Sequence, residues 1–165
     1  MQDILKYNLL FDALERGFAL FSQSSCGQEA SAGFIDQPVR TCVTIPSKGF
    51  FGCMPVYIEA EDLLVSKLVT AFPKNKDIPS HNAIVAVFDA SCGVPRALLD
   101  GDIITTRRTA AASAVATKHL VNGEPKVLAI LGCGVQGTSH YDALTAMFQL
   151  EKSGSARSNV RVDDG

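Results

Sequence analysis

Between Val127 and Gly137 a short aliphatic run, Val-Leu-Ala-Ile-Leu, leads straight into Gly132-Cys-Gly-Val-Gln-Gly137. An apolar run of this length before a glycine turn is what an interior parallel strand requires. The residues after it, Gln136 to Leu150, place Ala143, Leu144, Met147 and Phe148 on one face of a helix. Strand, Gly-x-Gly-x-x-Gly and helix together form the opening of a dinucleotide-binding unit. In such a unit Gly132 makes the tight turn, Gly134 lets the backbone approach a pyrophosphate, and Gly137 lets the helix pack closely. The helix start offers N–H groups and a positive dipole end to the phosphates. The competing reading is a glycine turn that binds nothing.

A nucleotide domain of this type needs several parallel strands covered on both faces, and the chain ends at Gly165. The domain is therefore expected to be incomplete. One more strand is predicted at Asn159–Val162, ahead of Asp163 and Asp164. An acidic residue about 20 or more positions past the glycines commonly meets the ribose hydroxyls, a role open to either aspartate. A solvated tail is the alternative, because Glu151–Ser158 reads as a polar, low-complexity connection.

Upstream, Met1–Phe21 carries Leu5, Leu9, Leu10, Ala13, Leu14, Phe18 and Phe21 at helical spacing, with charges that rule out a signal peptide or membrane span. Ser22–Gly33 reads as a loop. Strands are predicted at Gln37–Ile45, Phe50–Ile58, Val65–Phe72, Asn82–Asp89 and Val94–Leu99, forming an antiparallel or mixed sheet. A turn at Asp100-Gly101 leads to an alanine-rich helix over Ile103–Leu120, slim enough to lie close against a neighbour. The fold class is α/β: an N-terminal α+β domain over residues 1–121, then the start of a Rossmann-type nucleotide-binding domain over residues 126–165.

Fifteen basic against 17 acidic residues leave a net charge of −2 with no basic stripe, which argues against a nucleic-acid partner. Five cysteines, odd in number and without a Cys-x-x-Cys pair, argue against a disulfide framework or zinc site and for a cytoplasmic protein. No metal is expected. Arg40 and Lys67 interrupt apolar strands, and Arg107-Arg108 follow Thr105-Thr106 where the helix is predicted to open. Cations at a helix start oppose its dipole unless an anion also binds there. His81, after Pro79-Ser80, sits at a strand entrance within reach of a ligand, while His119 and His140 lie on helices with no role assigned.

The stretches Gln37-Pro-Val-Arg-Thr41, Gly52-Cys-Met-Pro55, Ser66-Lys-Leu-Val-Thr70, Pro79-Ser-His81, Asp100-Gly-Asp-Ile-Ile-Thr105, Arg108-Thr-Ala-Ala-Ala-Ser-Ala114 and Leu131-Gly-Cys-Gly-Val-Gln136 occur in one order. In that combination the chain resembles the ornithine cyclodeaminase/mu-crystallin family over roughly residues 1–150. The resemblance implies a homodimer with a substrate and dimerisation domain followed by a Rossmann domain. It implies NADP or NAD as cofactor and reduction of a cyclic imine (ketimine), with a small cyclic imine or amino acid as ligand. By the same resemblance Arg40 and Lys67 hold the substrate carboxylate, and Arg108 lies between substrate and cofactor phosphate. Ser80 and His81 match a cofactor- or substrate-proximal pair, taken here as cofactor-binding, and Gly132, Gly134, Val135, Gln136 and Gly137 form the nucleotide loop. Relatives often carry alanine at the position of Gly137. The family's proton-transfer aspartate lies in a second half beyond Gly165, so no catalytic residue is assigned and this chain is expected to be inactive alone. Asp163-Asp164 stand where NADP-preferring relatives carry an Asn-Arg-Thr type sequence, which leaves NAD against NADP open. The alternative is a non-catalytic module for ligand binding, thyroid-hormone-like by the resemblance, or for dimerisation.

Overall fold

The computed structural model describes residues 4–25, 34–157 and 160–163. The chain divides into two compact units, Phe18–Asp102 and Met1–Gly17 with Ile103–Gly165.

The first of these units is an antiparallel sheet. Its strands are β1 (Ile35–Asp36), β2 (Thr41–Ile45), β3 (Gly49–Ile58), β4 (Leu63–Ala71), β5 (His81–Asp89) and β6 (Pro95–Asp100). The order is β1-β3-β4-β5-β6, with β2 also pairing with β3. All five predicted strands are present; the two-residue β1 is too short to leave a pattern in the sequence. Pro55 sits inside the longest strand at a point that tolerates it. β2 pairs with β3 as far as Cys53 and β1 from Tyr57, so Pro55 lies in the gap where that edge asks for no N–H. Asp89 closes the β5–β6 hairpin: it accepts hydrogen bonds from Ser91 N (2.8 Å), Ser91 Oγ (2.5 Å) and Arg96. The Ser91 hydroxyl first, then Arg96, hold its carboxyl far below the ordinary aspartate range.

The other unit packs three helices. They are α1 (Tyr7–Ser25), of which Tyr7–Gly17 belongs here, α2 (Gly101–Leu120) from Ile103 on, and α3 (Val135–Met147). Ala110, Ala111, Ala114 and Ala143 are fully buried together with Tyr7, and Leu10, Phe11, Leu14, Leu144 and Met147 pack around them. Small residues on α2 and α3 let the backbones approach, as expected of an alanine-rich helix. The Tyr7 hydroxyl, 2.9 Å from Ser139 O and 2.8 Å from Ser139 Oγ, satisfies its polar end inside that core. At the surface Lys118 Nζ lies 2.7 Å from Glu15 Oε1, a hydrogen bond that draws the Glu15 carboxyl below its usual range.

Beside the helices, β7 (Val127–Leu131), β8 (Lys152–Arg157) and β9 (Val160–Asp163) form a sheet in that order. β7, the interior-type strand of the sequence, pairs only with β8 among the described residues and has Val127 69% and Leu131 91% exposed. β7 and β8 are parallel and α3 connects them, so β7–α3–β8 is a β-α-β unit, the start of a nucleotide-binding fold. The α/β fold class expected from the sequence is therefore the one observed.

Four local readings are corrected. The segment read as a polar connection, Glu151–Ser158, supplies strand β8, whose ladder with β7 overrides its weak strand propensity. The predicted Asn159–Val162 strand is Val160–Asp163 and pairs antiparallel with β8 rather than extending a parallel sheet. The predicted turn at Asp100-Gly101 is the beginning of α2. Asp100 Oδ1 accepts from Asp102 N at 2.9 Å, an N-cap bond that starts the helix two residues before the alanine-rich pattern does. Last, α1 continues to Ser25 where a loop was expected, and its Leu9, Phe18 and Phe21 are exposed; Cys26–Gly33 lies outside the described residues.

Candidate functional site

The glycine turn has the geometry its sequence calls for. Gly132 adopts φ 107°, a conformation that disfavours any side chain. A Cβ on Gly137 would lie 2.1 Å from Gly132 O, so only glycine lets α3 come this close to the turn. Here this chain departs from the expectation that alanine would serve equally. A Cβ on Gly134, by contrast, would meet nothing within 4 Å. An added Cβ at Gly132 would likewise meet nothing, so the loop is open at both glycines that precede α3. Gly134 caps α3 in extended conformation with no side-chain hydrogen bond, and no acidic residue stands in the first turn. Val135 and Gln136 are exposed. The amides at this helix start and its dipole face outward without a competing carboxylate, which fits a pyrophosphate.

In the antiparallel sheet the register decides which predicted residues share a face. Lys67 on β4 lies opposite Met54 on β3 and Val85 on β5. Arg40 immediately precedes Thr41, the first residue of β2 and the last one paired along this ladder, opposite Cys53, and itself lies outside the strand. Residues directly opposite share a face. Lys67, Met54 and Val85 therefore stand on one side of the sheet, while Arg40 lies in the segment just ahead of β2. His81 is on the same face, but four residues along β5 from Val85, about 14 Å away along the strand. Arg40 is exposed and Lys67 half-buried.

His81 also meets a residue the sequence reading did not single out. Asp102 Oδ1 lies 3.9 Å from His81 Nδ1 and accepts a 2.6 Å hydrogen bond from Ala83 N. Gly101 makes that arrangement possible, since a Cβ there would sit 2.7 Å from the Ala83 carbonyl carbon. Ser80, beside His81, is exposed, and its carbonyl accepts from Phe72 N at 2.7 Å.

The paired arginines part ways. With α2 starting at Gly101, Arg107 and Arg108 lie in its second turn, beyond the reach of the terminal dipole. The opposed-dipole argument for an anion there therefore falls. Arg107 places its guanidinium 4.4 Å from the Tyr7 ring centroid, with Nε buried and without a hydrogen-bond partner, and is a packing residue. Arg108 is exposed. An open groove of about 660 Å³ at the C-terminal end of α3, lined by Lys6, Tyr7, Phe11, Arg107 and Met147 among others, contains none of the predicted site residues.

Asp163 belongs to β9, and Asp164 lies outside the described residues. Among the described residues no cluster of three or more His, Cys, Asp or Glu could hold a metal ion, and no helix is long and apolar enough to cross a membrane.

The profile of the ornithine cyclodeaminase/mu-crystallin family matches residues 3–154. Ketimine reductase mu-crystallin of Rattus norvegicus is 44% identical over 156 residues, 92% of this chain and 48% of the relative. A Delta(1)-pyrroline-2-carboxylate reductase of Bacillus cereus is 38% identical over 128 residues, 76% of this chain and 39% of the relative. Among solved structures, the Thermococcus litoralis Delta(1)-pyrroline-2-carboxylate reductase in complex with NADH and L-proline superposes with a TM-score of 0.85 at 30% identity, covering 96% of this chain and 47% of that one. The chain thus spans about half the length of the curated relatives it matches. A glycine turn shaped for a dinucleotide, a β-α-β unit behind it and these matches agree: the chain belongs to the ornithine cyclodeaminase/mu-crystallin family.

Proposed function

We propose that this chain carries the substrate-binding part and the opening of the cofactor-binding part of an NAD(P)H-dependent reductase of cyclic imine carboxylates. The observation that carries the reading is the glycine turn, at positive φ at Gly132, closely packed at Gly137 and open at Gly134. Residues 1–121 are read as the substrate and dimerisation domain and residues 126–165 as the beginning of the Rossmann domain. Relatives support the chemistry: one named for ketimine reduction, and one solved with NADH and L-proline.

The division of labour is the one the resemblance implies, and the charges of the residues support it. Arg40 and Lys67 bind and orient the substrate carboxylate, replacing its water with charge-assisted hydrogen bonds. The α3 amides and Arg108 hold the cofactor phosphates, and Ser80 and His81 flank the cofactor. Bound NADPH or NADH supplies the hydride for the imine carbon; the protein contributes position and electrostatics. The decisive assay supplies the full-length enzyme with NADPH or NADH and Δ1-pyrroline-2-carboxylate and follows cofactor oxidation. Turnover is expected, and its absence with every cyclic ketimine tried refutes the enzymatic reading.

A second reading, a dimerisation or ligand-binding module, is favoured by exposed apolar surface. Val43, Ile84 and Leu98 stand on the sheet face opposite Lys67 and are 56%, 40% and 69% exposed. A second copy of this chain is the occupant that fits a homodimeric family. With Val127 and Leu131 bare on β7, the chain by itself is expected to bind NADPH weakly, and a tight fluorescence titration would contradict that. A thyroid-hormone-like carrier rests on the resemblance alone. A cytoplasmic location is part of this reading, supported by the sequence pattern of five cysteines without a Cys-x-x-Cys pair.

A further inference from the structure

His140, on the second turn of α3, makes two hydrogen bonds that no role in substrate or cofactor binding explains. Its Nδ1 lies 2.7 Å from Gln136 O and its Nε2 lies 2.9 Å from Ser113 Oγ on α2. A carbonyl oxygen can only accept, so Nδ1 carries the proton. In the neutral ring Nε2 is then an acceptor, and the Ser113 hydroxyl must donate to it. The contact of that hydroxyl with Thr109 O, at 3.3 Å, is the longer of its two. The adjacent residue repeats the connection: Ser139 Oγ donates to Thr106 O at 3.3 Å. Two consecutive side chains of α3 thus fasten it to α2.

The place of this tie gives it a consequence. Gln136 is in the first turn of α3, among the amides that face the phosphate position. α2 carries Arg108, which resemblance sets against the cofactor phosphate. We infer that His140 is a positioning residue for the cofactor: through Ser113 it fixes the start of α3 on α2, so that the loop amides and Arg108 meet one pyrophosphate together. The hydrogen-bonded ring resists rotation of the first turn about the helix axis, a motion the glycines on either side would otherwise permit. The functional half of this inference rests on the nucleotide-binding reading; the tie itself does not.

Both halves can be read separately, the tie on the 165-residue chain and the cofactor affinity on the full-length enzyme. Long-range proton–nitrogen NMR at about pH 8, where an ordinary imidazole is neutral, reports which ring nitrogen carries hydrogen. The proton is expected on Nδ1, the less common tautomer. In Ser113→Ala it is expected to redistribute toward Nε2, and the amide resonances of Val135–Gly137 are expected to move. Ser113→Thr, which keeps the hydroxyl, is expected to restore both. NADPH affinity is expected to fall about three- to tenfold in Ser113→Ala, the effect of one lost hydrogen bond, and to recover in the threonine variant. An Nε2–H ring in the wild type, or unmoved amides in Ser113→Ala, overturns the tie. Moved amides with unchanged NADPH affinity overturn the positioning role. Failure of the full-length wild type to bind either NADPH or NADH overturns the nucleotide reading instead, and the NMR results then decide the tie on their own.

Discussion

Gly132 and Gly134 are two residues apart in the same loop, yet the structure predicts opposite consequences for the same substitution. Neither has a heavy atom within 4 Å of the Cβ an alanine would add, so steric room does not distinguish them. Backbone conformation does. Gly132 sits at φ 107°, where an L side chain is strained by about 1–3 kcal/mol. Gly134 sits at φ −79° and ψ −178°, which any residue adopts. There the two smaller terms oppose each other. Alanine is a poorer N-cap than glycine by about 0.5–1 kcal/mol, and it reduces unfolded-state entropy by about 0.4–1 kcal/mol, so the net is near zero. Thermal unfolding should show Gly132→Ala lowered by about 2–4 °C per kcal/mol and Gly134→Ala unchanged. Cofactor binding should not follow stability. The methyl of Gly134→Ala occupies the open side of the loop and should weaken NADPH by about tenfold or more, or about 1.4 kcal/mol, in a protein as stable as wild type. The pairing of circular dichroism melts with NADPH fluorescence titrations separates the cases. Equal destabilisation by both substitutions, or wild-type affinity in a folded Gly134→Ala protein, would refute the assignment of this loop to a pyrophosphate.

Three further outcomes follow. Tyr7→Phe leaves Ser139 without its hydroxyl partner in the helical core and should cost about 1–3 kcal/mol in urea denaturation; a change under about 0.5 kcal/mol would show that water replaces it. Lys67→Met should weaken binding of an imine carboxylate to the full-length enzyme by tenfold or more while leaving NADPH affinity alone, measured by calorimetry; equal loss of both would place Lys67 elsewhere. Asp89 should titrate below the ordinary value near about 3.9 in carboxyl-detected NMR. Since its folded pKa is depressed, the stability it lends the β5–β6 hairpin is complete above the unfolded value and is lost as pH falls through the folded one. Ser91→Ala should move the midpoint upward, and an Asp89 midpoint at or above the ordinary value in the wild type would contradict the hydrogen bonds drawn here.

The strands of the antiparallel sheet could be read from the sequence because each is a β-branched or aromatic run closed by Pro, Gly or an acidic turn, and a long ladder needs little more than that. β8 could not. Lys-Ser-Gly-Ser-Ala-Arg has no strand propensity, and only pairing with β7 makes it a strand. The start of α2 was misplaced for a related reason. The alanine pattern begins at the middle of the helix, whereas its first turn is determined by one side-chain oxygen, that of Asp100, and by a glycine small enough to pass Ala83.

At the site, the same contrast separates residues that act alone from residues that act through a distant partner. Gly132, Gly134 and Gly137 were legible because their requirement is local: a positive φ, an open side and a close approach, all within six positions. Arg40 and Lys67 were visible only as charges in apolar strands, and the ladders distinguish them: Lys67 lies within β4 opposite Met54, while Arg40 falls just outside β2. Arg107 and Arg108 are neighbours in sequence with the same chemistry, and nothing short of the packing could tell that one lies over Tyr7 while the other is exposed. His140 and Ser113 left no signal at all, since a histidine and a serine 27 positions apart on two helices form a pair only once buried alanines have brought those helices together. The alanine pattern, read simply as helix propensity, is thus the reason the nucleotide turn has anything to be fastened to. Enlarging one of those residues, as in Ala114→Leu, should therefore separate α2 from the other helices and loosen the Ser113–His140 bond without touching a single polar group. The expected sign is a shift of the His140 tautomer toward Nε2–H together with a stability loss of about 1–3 kcal/mol from overpacking; an unshifted tautomer in that destabilised protein would show that the tie does not depend on helix spacing.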